Sequence, residues 1–281
     1  MSYKDLLVVL DSAAPARGRI EIAAALAERS AAHLVGLYPL PIPEAPQHFG
    51  YYDPALLNPF FEELRARARK AADKTRELFE HITGLHGVSA EWREIPEGAD
   101  ADPAVHARYA DLAILGQLDP NGGEADTLQP PPEQVAIASG RPIIVVPYAG
   151  SFPNVGRRVV IGWNASREAA RAVSDAMPLL MTAEIVTVLT IDAREGPDAH
   201  GELPGADISL HLARHGVKAT IERTVSAGIP AGDVLLSRAA DLGADLLVIG
   251  AYGHSRVREL LLGGATRSIL QSMTVPVLMS H

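Results

Sequence analysis

The sequence predicts two α/β domains in tandem, each a five-stranded, mainly parallel sheet flanked by helices. Three observations carry this expectation. Short apolar runs alternate with stretches of helical periodicity, the pattern of βαβ units. The same order of segments occurs twice, as it does when a domain is duplicated. The internal spacing also agrees: Gly116 and Pro142 stand 26 residues apart, and so do Gly250 and Pro276.

The elements follow in order. "DLLVVLDSAA" (residues 5–14) begins the first copy and corresponds to "RRVVIGWNAS" (157–166) in the second. "YADLAILGQLD" (109–119) corresponds to "GADLLVIGAYG" (243–253), and "RPIIVVPYA" (141–149) to "TVPVLMSH" (274–281). In the second copy, Ala169, Ala172, Val173, Ala176, Met177 and Leu180 recur at helical spacing after the first strand. "EIVTVLTID" (184–192) and "VKATIERTV" (217–225) read as the second and third strands. Between them "DISLHLARHG" (207–216) is a helix ending at glycine. "PAGDVLLSRAADLG" (230–243) is a helix with Pro at its start and Gly at its end. "DLLVIG" (245–250) and "VPVLMS" (275–280) are the fourth and fifth strands. In the first copy a long helix over 61–82 carries Phe61, Leu64, Ala68, Ala71, Thr75, Leu78 and Ile82 on one face, read as core.

The first copy is longer. Asp11 to Pro142 spans 131 residues against 112 from Asn164 to Pro276. The extra length is assigned to residues 39–60, a proline-rich stretch that holds Phe49, Tyr51 and Tyr52. A loop of that kind covers a pocket, meets a partner, or packs on its own domain. The boundary between the copies falls in "PYAGSFPNVG" (147–156), which gives domains at 1–148 and 155–281.

Composition narrows the function classes. The 281 residues include 25 basic and 34 acidic side chains, a net charge of -9. An acidic chain repels polyanions, so no nucleic-acid partner is expected. The run "RARARK" (65–70) reads as the solvated face of the long helix. The chain has no cysteine, which excludes disulfides, thiolate metal sites and cysteine nucleophiles. A leader is absent from the reading, and no apolar run reaches about 18 residues, so no membrane insertion is expected and the cytoplasm is the predicted location. His211 and His215 have a metal-compatible spacing, but no third ligand is placed, and the pair is read as an exposed helix face with no metal. GxxxxGK[ST], GxGxxG and GxSxG are all missing, and no catalytic triad can be assembled.

The stretch "GAYGHSRVRELLLGGATRS" (250–268) is the candidate site. It follows the fourth strand, where open α/β sheets bind ligands. Gly250 and Gly253 would let backbone approach a ligand. "HSRVRELLL" reads as one helix, Gly263 and Gly264 break it, and "ATRSILQSM" starts another. A helix that starts after glycines presents free N–H groups to an anion. Arg256, Arg258 and Arg267 add positive charge.

This spacing, two residues between Gly250 and Gly253 and nine more before Gly263, resembles the nucleotide-binding motif of the universal stress protein family in its tandem form. The resemblance covers the chain apart from the insertion. It implies Rossmann-like domains of the adenine nucleotide alpha hydrolase-like type, with the two final strands pairing the halves and a homodimer as one option. It implies a stress or signalling role and an ATP-type ligand with Mg. The residues that map onto the family's site are Asn164, Ala165, Ser166, Thr190, Gly250, Gly253, His254, Arg256, Gly263, Gly264, Ala265 and Thr266. Two of them depart from the pattern: Asn164 stands for an Asp, and Gly264 for a small hydroxyl residue. Trp163 is read as filling the pocket. In the first copy only Gly116 matches and Asp119 stands at the second glycine, so that half is expected to bind no nucleotide; its Gly122–Gly123 pair is read as a turn. A nucleotide-free scaffold and a binder of an apolar ligand under the insertion remain the alternatives. Catalysis is expected to be at most slow ATP hydrolysis.

Overall fold

The computed structural model describes residues 2–40, 54–96, 102–119, 130–193, 204–251 and 264–281. Ten strands form one sheet. The first half supplies β1 (Asp5–Val9), β2 (His33–Pro39), β3 (Ala90–Ile95), β4 (Leu112–Gly116) and β5 (Ile143–Val146). The second supplies β6 (Arg158–Gly162), β7 (Ile185–Ile191), β8 (Ala219–Thr224), β9 (Leu246–Gly250) and β10 (Val277–Ser280). Their order is β3-β2-β1-β4-β5-β10-β9-β6-β7-β8. Each half thus repeats the order 3-2-1-4-5, and every pairing within a half is parallel. At the centre β5 and β10 run antiparallel, with Val145 opposite Val277 and Ile144 opposite Leu278. The carboxyl ends of the two sets of strands therefore face opposite rims of the sheet.

The described helices are α1 (Ala16–Ser30), α2 (Pro54–Leu85), α3 (Pro103–Ala107), α4 (Pro132–Ser139), α5 (Arg167–Leu180), α6 (Ala206–Arg214), α7 (Ala231–Asp241) and α8 (Gly264–Ser272). Alternation along the strands sorts the core into two layers. Leu6, Val8, Val159 and Ile161 pack with α1, α2, α5 and α6 on one face. Leu7, Val9, Val160 and Ile249 pack with α3, α4, α7 and α8 on the other. Both layers run across the junction of the halves. A buried sheet of this kind needs apolar residues on both faces, which is why β1, β4, β5 and β10 read as continuous apolar runs.

The long helix departs from the sequence reading. It begins at Pro54, not at residue 61, and carries Pro59 within its first turns. Pro54 stands at the first helical position, where its missing N–H has no intrahelical partner, whereas Pro59 lies inside the helix and forgoes the bond to the carbonyl of residue 55, so neither marks a boundary here. Residues 54–60 of the presumed insertion are therefore helical, and Phe49, Tyr51 and Tyr52 lie outside the described residues. On the buried face, Phe79 and Ala72 join Thr75 and Ile82. Phe79 packs where a Cβ on Gly36 would come within 2.9 Å of its ring.

Matched aspartates anchor the two halves. Asp111 Oδ2 accepts from the N–H groups of Lys4 and Asp5 at 2.7 and 3.2 Å. Asp245 Oδ1 accepts from Gly156, Arg157 and Arg158 at 2.9, 3.0 and 3.0 Å. Each aspartate ties the start of its half's first strand to the start of its fourth. Burial raises the Asp245 carboxyl above its ordinary range, and the N–H groups and Arg29 pull it the other way. Asp245→Ala strips an acceptor from three backbone donors. It is expected to cost about 2–3 kcal/mol, read as a lowered urea midpoint; an unchanged midpoint would refute the anchoring role.

Further contacts join the halves beside β5 and β10. Tyr3 Oη donates to the Asp175 carbonyl at 2.8 Å, and burial raises its phenol pKa above the ordinary value. Arg29 Nη1 donates to the Val155 carbonyl at 3.0 Å. Gln117 Nε2 donates to the Leu270 carbonyl in α8 at 2.7 Å.

Candidate functional site

The cavity of interest lies at the carboxyl ends of β6, β7 and β9. Its volume is about 170 Å³. Leu189, Ile191, Leu235, Ile249 and Ile269 form an aliphatic wall, with Trp163 and Asn164 at the end of β6. Ala231 at the start of α7 and Ala265 and Thr266 at the start of α8 close another side. Two helix N-termini therefore border one apolar hollow. Their first-turn N–H groups have no partner inside the helix and carry the positive end of its dipole. The volume is below the roughly 300–1,000 Å³ of a drug-sized pocket, so this part of the site suits one ring system.

Gly162 makes the floor. A Cβ there would sit 3.1–3.3 Å from Leu235 and Ile249, so any side chain would enter the cavity. The first half shows the contrast. Val9 pairs with Leu37 as Gly162 pairs with Leu189. Val9 is fully buried and fills the corresponding floor. The sequence reading did not single out Gly162; only the Val9 comparison within the repeat hinted at it.

The loop after β6 is a tight turn. Asn164 Oδ1 accepts from the Ser166 N–H at 3.1 Å, and Ser166 Oγ accepts from Ala169 N–H at 3.1 Å, capping α5. Ala165 between them takes a positive φ of 56°, a conformation that costs an L-residue about 1–2 kcal/mol. The first half makes the same side-chain contact from an acid, with Asp11 Oδ1 accepting from Ala13 N–H at 2.7 Å. Asn and Asp both accept in this way, so the substitution keeps the hydrogen bond and removes the charge. Asp11 also pairs with Arg19, which donates to the Val9 carbonyl at 3.1 Å and is itself buried.

The remaining predicted residues divide into three groups. Ala265 and Thr266 line the cavity, and Gly264 opens α8 beside them. Thr190 is buried with its Oγ1 donating to the Glu222 carbonyl at 3.4 Å, while its neighbours Leu189 and Ile191 face the cavity. Gly253, His254, Arg256 and Gly263 lie outside the described residues, as do Arg258, the predicted helix "HSRVRELLL" and the Gly122–Gly123 turn.

Gly250 lines the cavity, and it has a second physical reason beyond the one the sequence suggested. A Cβ on it would come within 2.5 Å of Ala169 N and Glu168 C, in the first turn of α5. The glycine lets that helix rest directly on the end of β9. Gly232 serves the same purpose between α7 and α8, where a Cβ would meet the Ala265 carbonyl oxygen at 2.7 Å. Close by, Ser268 Oγ donates to Asp233 Oδ1. Gly264, by contrast, has nothing among the described residues within 4 Å of its Cβ position.

The first half lacks two of these features. Counting back from β5 and β10, Pro130–Pro132 stand where Gly264–Thr266 stand. Three prolines take three N–H donors from the start of α4. His211 and His215 lie with ring centroids 4.7 Å apart on α6, and no group of three potential metal ligands occurs among the described residues. No described helix is long and apolar enough to cross a membrane.

Residues 156–281 match the model described as the universal stress protein family. A universal stress protein of Synechocystis sp. is 34% identical over 84 residues, which is 30% of this chain and 28% of that protein. The match thus spans little more than a quarter of that relative's length. Among solved structures, a universal stress protein from Archaeoglobus fulgidus superposes with a TM-score of 0.67 at 14% identity, over 98% of this chain and 95% of that one. A functionally unknown protein from Pseudomonas aeruginosa gives 0.56 at 16% identity, over 99% and 92%. At these identities the likeness to the solved structures is one of fold.

Proposed function

We propose that the chain, whose residues 156–281 match the universal stress protein family, is a member of that family and binds one adenine nucleotide, ATP with Mg²⁺, in its second half. In this reading 1–148 and 155–281 are two domains of one ancestral kind, and only the second keeps a ligand site. The protein acts as a binder in a cytoplasmic stress or signalling response, with at most slow ATP hydrolysis. The observation that carries the reading is the juxtaposition of the aliphatic hollow with the start of α8.

The residues present fit such a ligand. The base would lie on Leu189, Ile191, Leu235, Ile249 and Ile269, with Trp163 at the edge. Asn164 uses Oδ1 within its own turn, so what it chiefly offers a ribose is its amide donor. The N–H groups of Gly264, Ala265 and Thr266 would face the phosphates, with Gly253, His254, Arg256 and Gly263 completing the cradle. Magnesium would neutralise phosphate charge. The first half has Val9 on its floor and prolines at its helix start, which supports one site per chain.

Calorimetry of ligand-stripped protein with Mg-ATP tests this. Micromolar binding at one site per chain is expected. No heat at millimolar ATP would overturn the reading and leave the nucleotide-free scaffold. Gly162→Val copies the first half's floor into the second. It is expected to weaken binding at least about tenfold while the far-UV circular dichroism stays that of wild type. Unchanged affinity would show that the ligand does not sit in this hollow.

A further inference from the structure

Gln117 follows Gly116 at the end of β4, in the half that lacks the cradle. It is a buried polar side chain, 6% exposed. Its Nε2 donates to the Leu270 carbonyl at 2.7 Å, and its Oε1 accepts from Tyr148 N–H at 3.2 Å. Its own N–H donates to the Val146 carbonyl at 2.8 Å. The amide therefore spans from the ends of β4 and β5 to the last turn of α8. Carbonyls in a helix's last turn lack intrahelical partners, and here the other half supplies one.

The helix that Gln117 grips is the one that borders the cavity. Leu270 follows Ile269, a wall residue, and the same helix contributes Ala265 and Thr266. On its other side α8 is held by α7, through the close approach at Gly232 and the contact between Ser268 and Asp233. A nine-residue helix has little stability of its own, so its position depends on these tertiary holds.

We infer that Gln117 of the first half is a positioning residue for the ligand site of the second half, fixing α8 from its C-terminal end. The first half, on this account, has exchanged ligand binding for alignment of its partner's site. The effect on affinity rests on the nucleotide reading above. The effect on α8 itself does not.

The experiment uses Gln117→Met in the full chain. Methionine keeps an unbranched side chain of similar length and removes both hydrogen bonds. Hydrogen exchange is followed by mass spectrometry in ligand-free wild type and variant. Loss of one hydrogen bond is expected to speed exchange in the peptide covering 264–272 by about 2- to 10-fold. The peptide covering 132–139, the corresponding helix of the first half, is expected to exchange at the wild-type rate. Mg-ATP affinity should fall by a similar factor. Unchanged exchange over 264–272, or equal acceleration in both helices, would overturn the inference, the latter because it marks general destabilisation. If wild type binds no ATP, the nucleotide reading fails while the exchange comparison still decides the role of Gln117.

Discussion

Replacing Gly250 with alanine is expected to destabilise the protein by about 3 kcal/mol, at the upper end for overpacking a core. The new Cβ would sit 2.5 Å from Ala169 N and Glu168 C, and 2.8 Å from Glu168 Cβ. Two of those three atoms are backbone and cannot rotate away. The helix turn they belong to is held by the Ser166 cap. The strand is held by Gly250 opposite Ser280 in β10. One of the two elements must move, and each is tied to the sheet. By the usual scaling of melting temperature with free energy in chains of this size, the midpoint should drop by roughly 6–12 °C. Gly264→Ala is the control: its Cβ meets none of the described residues within 4 Å, and its midpoint should stay within about 2–4 °C of wild type. If Gly250→Ala melts with wild type, the glycine is not there for packing, and its place in the cavity lining is the reason left for it.

The contrast between these glycines shows what could and could not be read along the chain. The strands were legible because a sheet covered on both faces must be apolar throughout, as in "LLVIG" and "IIVV". The duplication was legible because both copies kept their spacing; the anchoring role of Asp111 and Asp245 emerged only with the strand starts they bind. The start of α2 was not, because Pro54 and Pro59 look like breakers until their place in the helix is known. The cavity was not legible either. Gly162 matters through the side chain it lacks, and that absence acquires meaning only when Leu235 and Ile249 arrive from elsewhere in the chain. Gln117 escaped for a similar reason: its partner in α8 is 153 residues away. Thr190, mapped by the motif for its backbone, keeps its side chain out of the cavity. Strand alternation turns its side chain to the face opposite the one that carries Leu189 and Ile191.

Gly264→Ser is expected to strengthen Mg-ATP binding by about 10- to 100-fold, the worth of one added hydrogen bond to a charged phosphate oxygen. The resemblance to nucleotide-binding relatives places a hydroxyl at this position, and here it is missing. Among the described residues there is room for it: none comes within 4 Å of the Cβ position, at the first residue of α8 and beside the cavity-lining Ala265 and Thr266. Serine is also well tolerated at a helix start, so the change should not disturb the fold. Gly264→Ala separates the hydroxyl from the effect of any side chain, and its affinity should stay within a few-fold of wild type. Calorimetry on the three proteins then discriminates between the readings of this chain. Wild type binding at micromolar levels, with serine tighter and alanine unchanged, is the pattern of a working site that lacks one phosphate contact. Silent wild type with binding restored by serine is the pattern of a site that keeps its walls and has lost its ligand, which makes the native protein a nucleotide-free scaffold. Equal affinities for serine and alanine would refute the placement of the phosphates at α8, because a hydroxyl aimed at a phosphate cannot be energetically silent.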